Sequence, residues 1–137
     1  MATNITVSAH VRVSPENAWE LWNSPQHITK WNSPSDEWHS PQSENDLREG
    51  GRFNTRMEAK DGSMGFDFEG TYDKVIPNEY IAYTLGDGRK VTVNFTAKDN
   101  STYVEETFEP ENQNPEDFQK AGWQAILDNF KKYAESN

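Results

Sequence analysis

Glu106 stands in a strand-like run, Tyr103 to Glu109, where simple alternation puts Val104 and Phe108 on its side. If those two face inward, so does the carboxylate. Burial is costly for an unpaired carboxylate and raises its pKa towards the range useful for proton transfer. Glu106 is therefore the one speculative catalytic acid/base. Two competing readings stay open: the strand is inverted, with Tyr103, Glu105 and Thr107 inward, or Glu106 sits in water at a pocket mouth. Buried Tyr and Trp need partners for their polar tips, which would add a few hydrogen-bonding groups to an apolar interior. His27, Asp36, Glu37 and His39 invite a metal reading, but they fall on a short helix and a Pro-rich loop at no recognised ligand spacing. No metal is expected. Nor is a cofactor, because no Ser-His-Asp order, phosphate-binding loop, dinucleotide fingerprint or zinc motif is present. Gly50-Gly51 lacks phosphate-loop spacing and reads as a bend into the next strand. Arg56 and Glu58 alternate against Met57 and read as solvent-side cross-strand partners.

These residues need elements to position them. The run from Asn114 to Ala134 is a long helix: Pro115 suits its first turn, Asn114 can cap it, Glu116 and Asp117 begin it, and Lys131 and Lys132 end it. Phe118, Gly122, Ile126, Phe130 and Tyr133, joined by Trp123 and Leu127, make one broad apolar face on a helix about 30 Å long. Gly122 on that face costs about 1 kcal/mol relative to alanine, so it marks either close backbone approach or unfilled space. Ile5, Val7, Ala9, Val11 and Val13 alternate as a strand. Ser14-Pro15 and Ser24-Pro25 then open two short helices, the first carrying Ala18, Leu21 and Trp22, the second Ile28 and ending near Trp31. Trp38 anchors a short strand bounded by Pro34 and Pro41. Further strands follow, separated by Asp61-Gly62, Pro77-Asn78, Asp87-Gly88 and Asp99-Asn100, turn pairs that make neighbours antiparallel. The fold class is α+β: a curved antiparallel sheet of about six or seven strands closing around one C-terminal helix.

Composition narrows the function. A length of 137 residues suits one domain, residues 1–137. A net charge of −10 with no Lys/Arg run argues against nucleic acid and anionic membranes as partners. With no cysteine, no apolar leader and no run of spanning length, a soluble cytoplasmic protein without membrane insertion is expected. Five Trp, five Tyr and seven Phe at patterned positions supply the burial that disordered chains lack.

Five stretches carry a family resemblance: VSPENAWELWNSPQHITKWN (Val13 to Asn32), NDLREGGRF (Asn45 to Phe53), EGTYDKVIPNEYIAYTL (Glu69 to Leu85), GRKVTVNF (Gly88 to Phe95) and GWQAILDNFKKY (Gly122 to Tyr133). Together they resemble the helix-grip or START-like superfamily (SRPBCC, birch-pollen-allergen-like), in the branch named after activators of heat-shock protein 90 ATPase. Of the eukaryotic co-chaperones in that branch, only the C-terminal domain is similar. The resemblance implies a cavity between the concave sheet and the long helix, with the short helices as a third wall. On the sheet its wall would use Phe53, Met57, Phe66, Phe68, Tyr72, Tyr83, Val93, Phe95 and Glu106. Trp22 and Trp31 would lie below, and Trp123, Ile126 and Phe130 above. The leading expectation is a small binding protein that holds a hydrophobic, aromatic or lipid-like metabolite, oriented by Tyr72, Tyr83 or Glu106. A cyclase- or hydrolase-type enzyme using the Glu106 carboxyl is one alternative, and a module that binds a chaperone or other protein is another, since fold alone does not choose among them.

Overall fold

The computed structural model describes residues 4–33 and 35–136. Strand β1 (Ile5–Val11) leads into helices α1 (Pro15–Asn23) and α2 (Pro25–Trp31). Six strands follow: β2 (Trp38–Asn45), β3 (Arg52–Ala59), β4 (Gly65–Ile76), β5 (Tyr80–Leu85), β6 (Lys90–Lys98) and β7 (Ser101–Phe108), and then α3 (Glu116–Glu135). The seven strands make one curled antiparallel sheet in the order β1-β7-β6-β5-β4-β3-β2. The curved antiparallel sheet with one C-terminal helix is as the patterning predicted, in the helix-grip form that the resemblance implied. Among the described residues no helix is long and apolar enough to cross a membrane.

The turn pairs explain the meander. Gly62, Asn78, Gly88 and Asp99 each take a positive φ, one in each of the four expected turns, so each hairpin reverses where a residue tolerant of that conformation stands. Ser14 caps α1 by accepting from the Asn17 amide, and Pro begins both short helices. The Trp31 indole donates to the Leu21 carbonyl at 3.0 Å and ties the two helices together.

Three boundaries depart from expectation. β1 stops at Val11, because the Arg12 amide donates to the Glu135 carboxylate and the Val13 carbonyl accepts from Thr102, which turns the chain into the Ser14 cap. β2 continues through Pro41 to Asn45. It is the outer strand, and its register shifts between His39 and Gln42, so a residue without an amide proton breaks no ladder. Pro34, expected to bound that strand, lies outside the described residues. The third departure is at α3, where Pro115 rather than Asn114 occupies the cap position and no side chain caps the helix. Gln119 holds that end instead. Its buried amide donates to the carbonyls of Glu111 and Asn114 and accepts from the Glu111 amide.

α3 covers the β1 end of the sheet. Leu127, Phe130 and Ala134 are fully buried, the two larger side chains contributing about 1.5–3 kcal/mol each by burial. Polar side chains of α3 also reach the free margin of β1: Gln124 donates to the Ser8 carbonyl and Lys131 to the His10 carbonyl.

Candidate functional site

Register sets the inward rows of the sheet. Val7, Glu106, Val93 and Ile81 form one cross-strand row on β1, β7, β6 and β5. On one side of it runs the row Phe108, Val91, Tyr83 and Tyr72; on the other, Val104 pairs with Ala9 and Phe95. Glu106 is 6% exposed and shares its face with the fully buried Val104 and Phe108. The direct alternation therefore holds, and neither the inverted strand nor the mouth position occurs.

Two aromatic clusters flank the Glu106 row. In the first, the Trp123 ring stacks on Phe108 at 4.0 Å between centroids and meets Phe68 edge-on at 6.0 Å. Phe53 completes it, touching Phe68, Tyr72 and Tyr83. Gly70 makes that possible, since a Cβ there would lie 3.0 Å from the Phe53 ring and 2.5 Å from the Thr84 carbonyl oxygen. In the second cluster, Trp22 packs on Trp31, Phe95 and Phe130, and Trp31 also meets Phe130. Between the clusters the row holds only Val7, Val93 and Ile81 beside Glu106.

Four named residues stand apart from this centre or differ from its pattern. Met57 is buried opposite Phe66 at the far end of β3 and β4, whereas Phe66 is 47% exposed and touches Trp38. Tyr72 lies in the first cluster, but its hydroxyl is taken, donating to the Asn45 side-chain oxygen at 2.5 Å. Ile126 is only half-buried although it sits on the apolar face of α3. One turn before it, a Cβ on Gly122 would meet nothing within 4 Å, so this glycine marks unfilled space and not close backbone approach.

The polar tips at this centre are unusual. Among the described residues, Asn54 Oδ1 is the one side-chain polar atom that is sealed from water and without a partner. The Glu106 carboxyl and the Tyr83 hydroxyl, on residues only 6% and 7% exposed, form no hydrogen bond or ion pair among the described residues either. Burial pushes the Glu106 carboxyl up to about 8, so at neutral pH it is mostly protonated. Burial first, and then the nearby Glu106, pushes the Tyr83 phenol well above its ordinary value. Two neutral O–H donors thus face the same interior, a sparse polar end in an aromatic setting.

Trp19 was missed in the sequence. It meets Phe95 edge-on at 5.4 Å, and its i,i+3 spacing to Trp22 was the available signal. Asn45, the Tyr72 partner, had none, because it arrives on the strand that runs through Pro41.

Elsewhere, a solvent-open basin of about 470 Å³ lies between α2, the start of β2 and the end of α3; Asp36 and His39 are on its wall. A second, of about 500 Å³, lies beside the β4–β5 turn. Both are surface features away from the Glu106 row. The His27 ring instead hydrogen-bonds the Tyr133 hydroxyl at 2.6 Å, and His39 lies 3.7 Å from Glu58. Among the described residues no three metal-ligating side chains gather. Arg56 bridges Glu58 and Asp67 on the outer face, as expected.

Comparison with known proteins adds the following. The family described as Activator of Hsp90 ATPase homolog 1-like protein matches residues 12–135. The solution structure of the AHSA1-like protein from Aeromonas hydrophila is 44% identical with a TM-score of 0.91, covering 98% of this chain and 93% of that one. A solution structure from Cytophaga hutchinsonii is 52% identical with a TM-score of 0.84 over the same shares. A crystal structure from Nitrosomonas europaea, 16% identical over 97% of this chain and 94% of that one, has the same fold with a TM-score of 0.84. No curated protein matches this chain.

Proposed function

The chain belongs to the family of activator of Hsp90 ATPase homolog 1-like proteins, and on that premise we propose that it binds an apolar, ring-containing small molecule between the sheet and α3. One observation carries this reading: Glu106 and Tyr83, both nearly buried on the inner face of the sheet, hold polar tips that make no hydrogen bond among the described residues. A site kept for stability alone gains nothing from two such groups, since an apolar residue of similar shape would avoid the desolvation cost. The open side of Gly122 and the half-buried Trp123 and Ile126 support a ligand path along α3. Phe68, Tyr83, Trp123 and Ile126 would supply contact area, and the carboxyl and phenol would orient one polar group. A cyclase or hydrolase would need a partner with which Glu106 exchanges its proton. No described side chain hydrogen-bonds Glu106 to hold it in place as such a base would be held, which favours binding over turnover.

A second reading, a protein-interaction module, draws on Met64 (64% exposed), Phe66 and Phe118 (67% exposed), large apolar side chains left in water. A chaperone or other protein would be the partner in that case.

The test is a two-dimensional NMR titration with 2-ethylnaphthalene, preceded by a thermal-shift panel of flavonoids, sterols and fatty acids. A ligand at 100 times its Kd stabilises the native state by about 2.7 kcal/mol, a shift of several degrees. Saturable perturbations should centre on Phe68, Glu106, Gly122 and Ile126, and Gly122→Leu should weaken binding while leaving the fold intact. Perturbations confined to Met64, Phe66 and Phe118, or none, would turn the reading to the interaction module.

A further inference from the structure

Resting on the binding reading above, we propose that this site selects uncharged ligands with a carbonyl-type acceptor, excluding carboxylates and ammonium compounds, and that Glu106 and Tyr83 both donate to that acceptor. What faces Glu106 decides the point. On β1 and β6 its row neighbours are Val7 and Val93, and on β5 Ile81; the phenol of Tyr83 belongs to the adjoining row, with Val91 and Phe108. From β4 the Tyr72 hydroxyl is already committed to Asn45; from α3 Trp123 stacks on Phe108, and from α1, which packs on β6 and β7, Trp19 and Trp22 meet Phe95. Among the described residues, the cation whose charge acts on Tyr83 is Arg89, and its guanidinium is held by Asp87 at 2.7 Å.

A ligand carboxylate would therefore find no cation to offset its desolvation. An ammonium ligand would require Glu106 to release its proton to solvent, leaving an ion pair among apolar side chains, where the Coulombic gain seldom exceeds the desolvation cost. A ketone, quinone or ester oxygen avoids both costs. It has two lone pairs, and the site has two O–H groups to meet them. Fatty acids thus fit poorly despite their apolar tails, and flat ring systems bearing a carbonyl fit well between the aromatic clusters.

A matched set of probes isolates the polar group: 2-acetylnaphthalene, 2-ethylnaphthalene, 2-naphthoate and 2-naphthylmethylammonium, titrated by NMR at pH 6.5 and pH 9. The ketone should bind about five- to tenfold tighter than the ethyl compound at pH 6.5, with both ions weaker than either. Its advantage should shrink at pH 9, as the free-protein carboxyl, with a pKa of about 8, gives up its proton, while the ethyl compound changes little. Glu106→Gln keeps a neutral donor, so it should retain the preference at both pH values; Glu106→Leu should lose the preference and still bind the ethyl compound. Equal binding of ketone and ethyl compound, with the ethyl compound still saturable, would overturn the selectivity and leave the binding reading standing. So would a preference for the naphthoate or the ammonium compound. Failure of all four to bind would overturn both.

Discussion

Glu106 converts a buried position into a measurable pH dependence. Its carboxyl titrates near 8 in the folded chain, against an ordinary value of 4.5. Between these values the unfolded chain has lost the proton and the folded chain still holds it, so stability falls as pH rises from about 4.5 to about 8 and then levels off. Glu106→Gln removes this contribution. Chemical denaturation should show the variant nearly equal to the parent at pH 5 and more stable by on the order of 3 kcal/mol at pH 8. A gap that does not grow with pH would mean that the carboxyl ionises in place. That Glu106 shares a face with Val104 and Phe108 was legible from alternation, but which face is the inner one was not, and the burial of all three decides it. Nor was the state of its neighbours legible. Whether a tyrosine hydroxyl is free or taken depends on which strand arrives beside it, and Asn45 reaches Tyr72 across 27 positions of chain.

At the scale of elements, the long helix was legible in extent and apolar face, but not in how it begins. A proline preceded by asparagine reads as a capped start, yet the exposed Asn114 leaves the work to Gln119, a residue inside the helix whose side chain folds back onto the incoming loop. Local capping preferences carry no information about that return, since it needs the loop at Glu111 to be in place. Gln119→Ala leaves the carbonyls of Glu111 and Asn114 and the Glu111 amide without this partner. The expected loss is about 2 kcal/mol, with hydrogen exchange accelerated first in residues 111–120. Uniform acceleration along all of α3 would place the role of Gln119 in global packing instead. The turns were the most legible elements of all, because a positive φ restricts residue choice more sharply than any strand position does.

For the molecule as a whole, a curved antiparallel sheet against one long helix followed from patterning and its helix-grip form from the family resemblance, whereas the pairing of β1 with β7 and the spread of the aromatics into two clusters did not. Trp22, Phe95 and Phe130 are far apart in sequence, and only register and the curl of the sheet bring their rings within 6 Å while Phe66 is left half-exposed at the far end. The net charge of −10 sets a further expectation. Self-repulsion of the compact state is screened as salt rises, so the melting temperature should increase by a few degrees between about 10 and 150 mM NaCl. A flat response would mean that the surface ion pairs, such as Lys131–Glu135 and Arg56–Asp67, already offset the excess.

The two margins of the sheet bear on how this protein survives at high concentration. β1 offers its outer carbonyls at Ser8 and His10 to Gln124 and Lys131, and β2 carries a proline and an irregular register with β3 between His39 and Gln42. Neither margin presents the flat row of free amides and carbonyls on which another chain adds a strand. Cross-β growth from the native state is thereby closed off without any charged gatekeeper in β1. Fibres would have to wait for α3 to detach, which ties resistance to amyloid to the lifetime of one helix on its sheet.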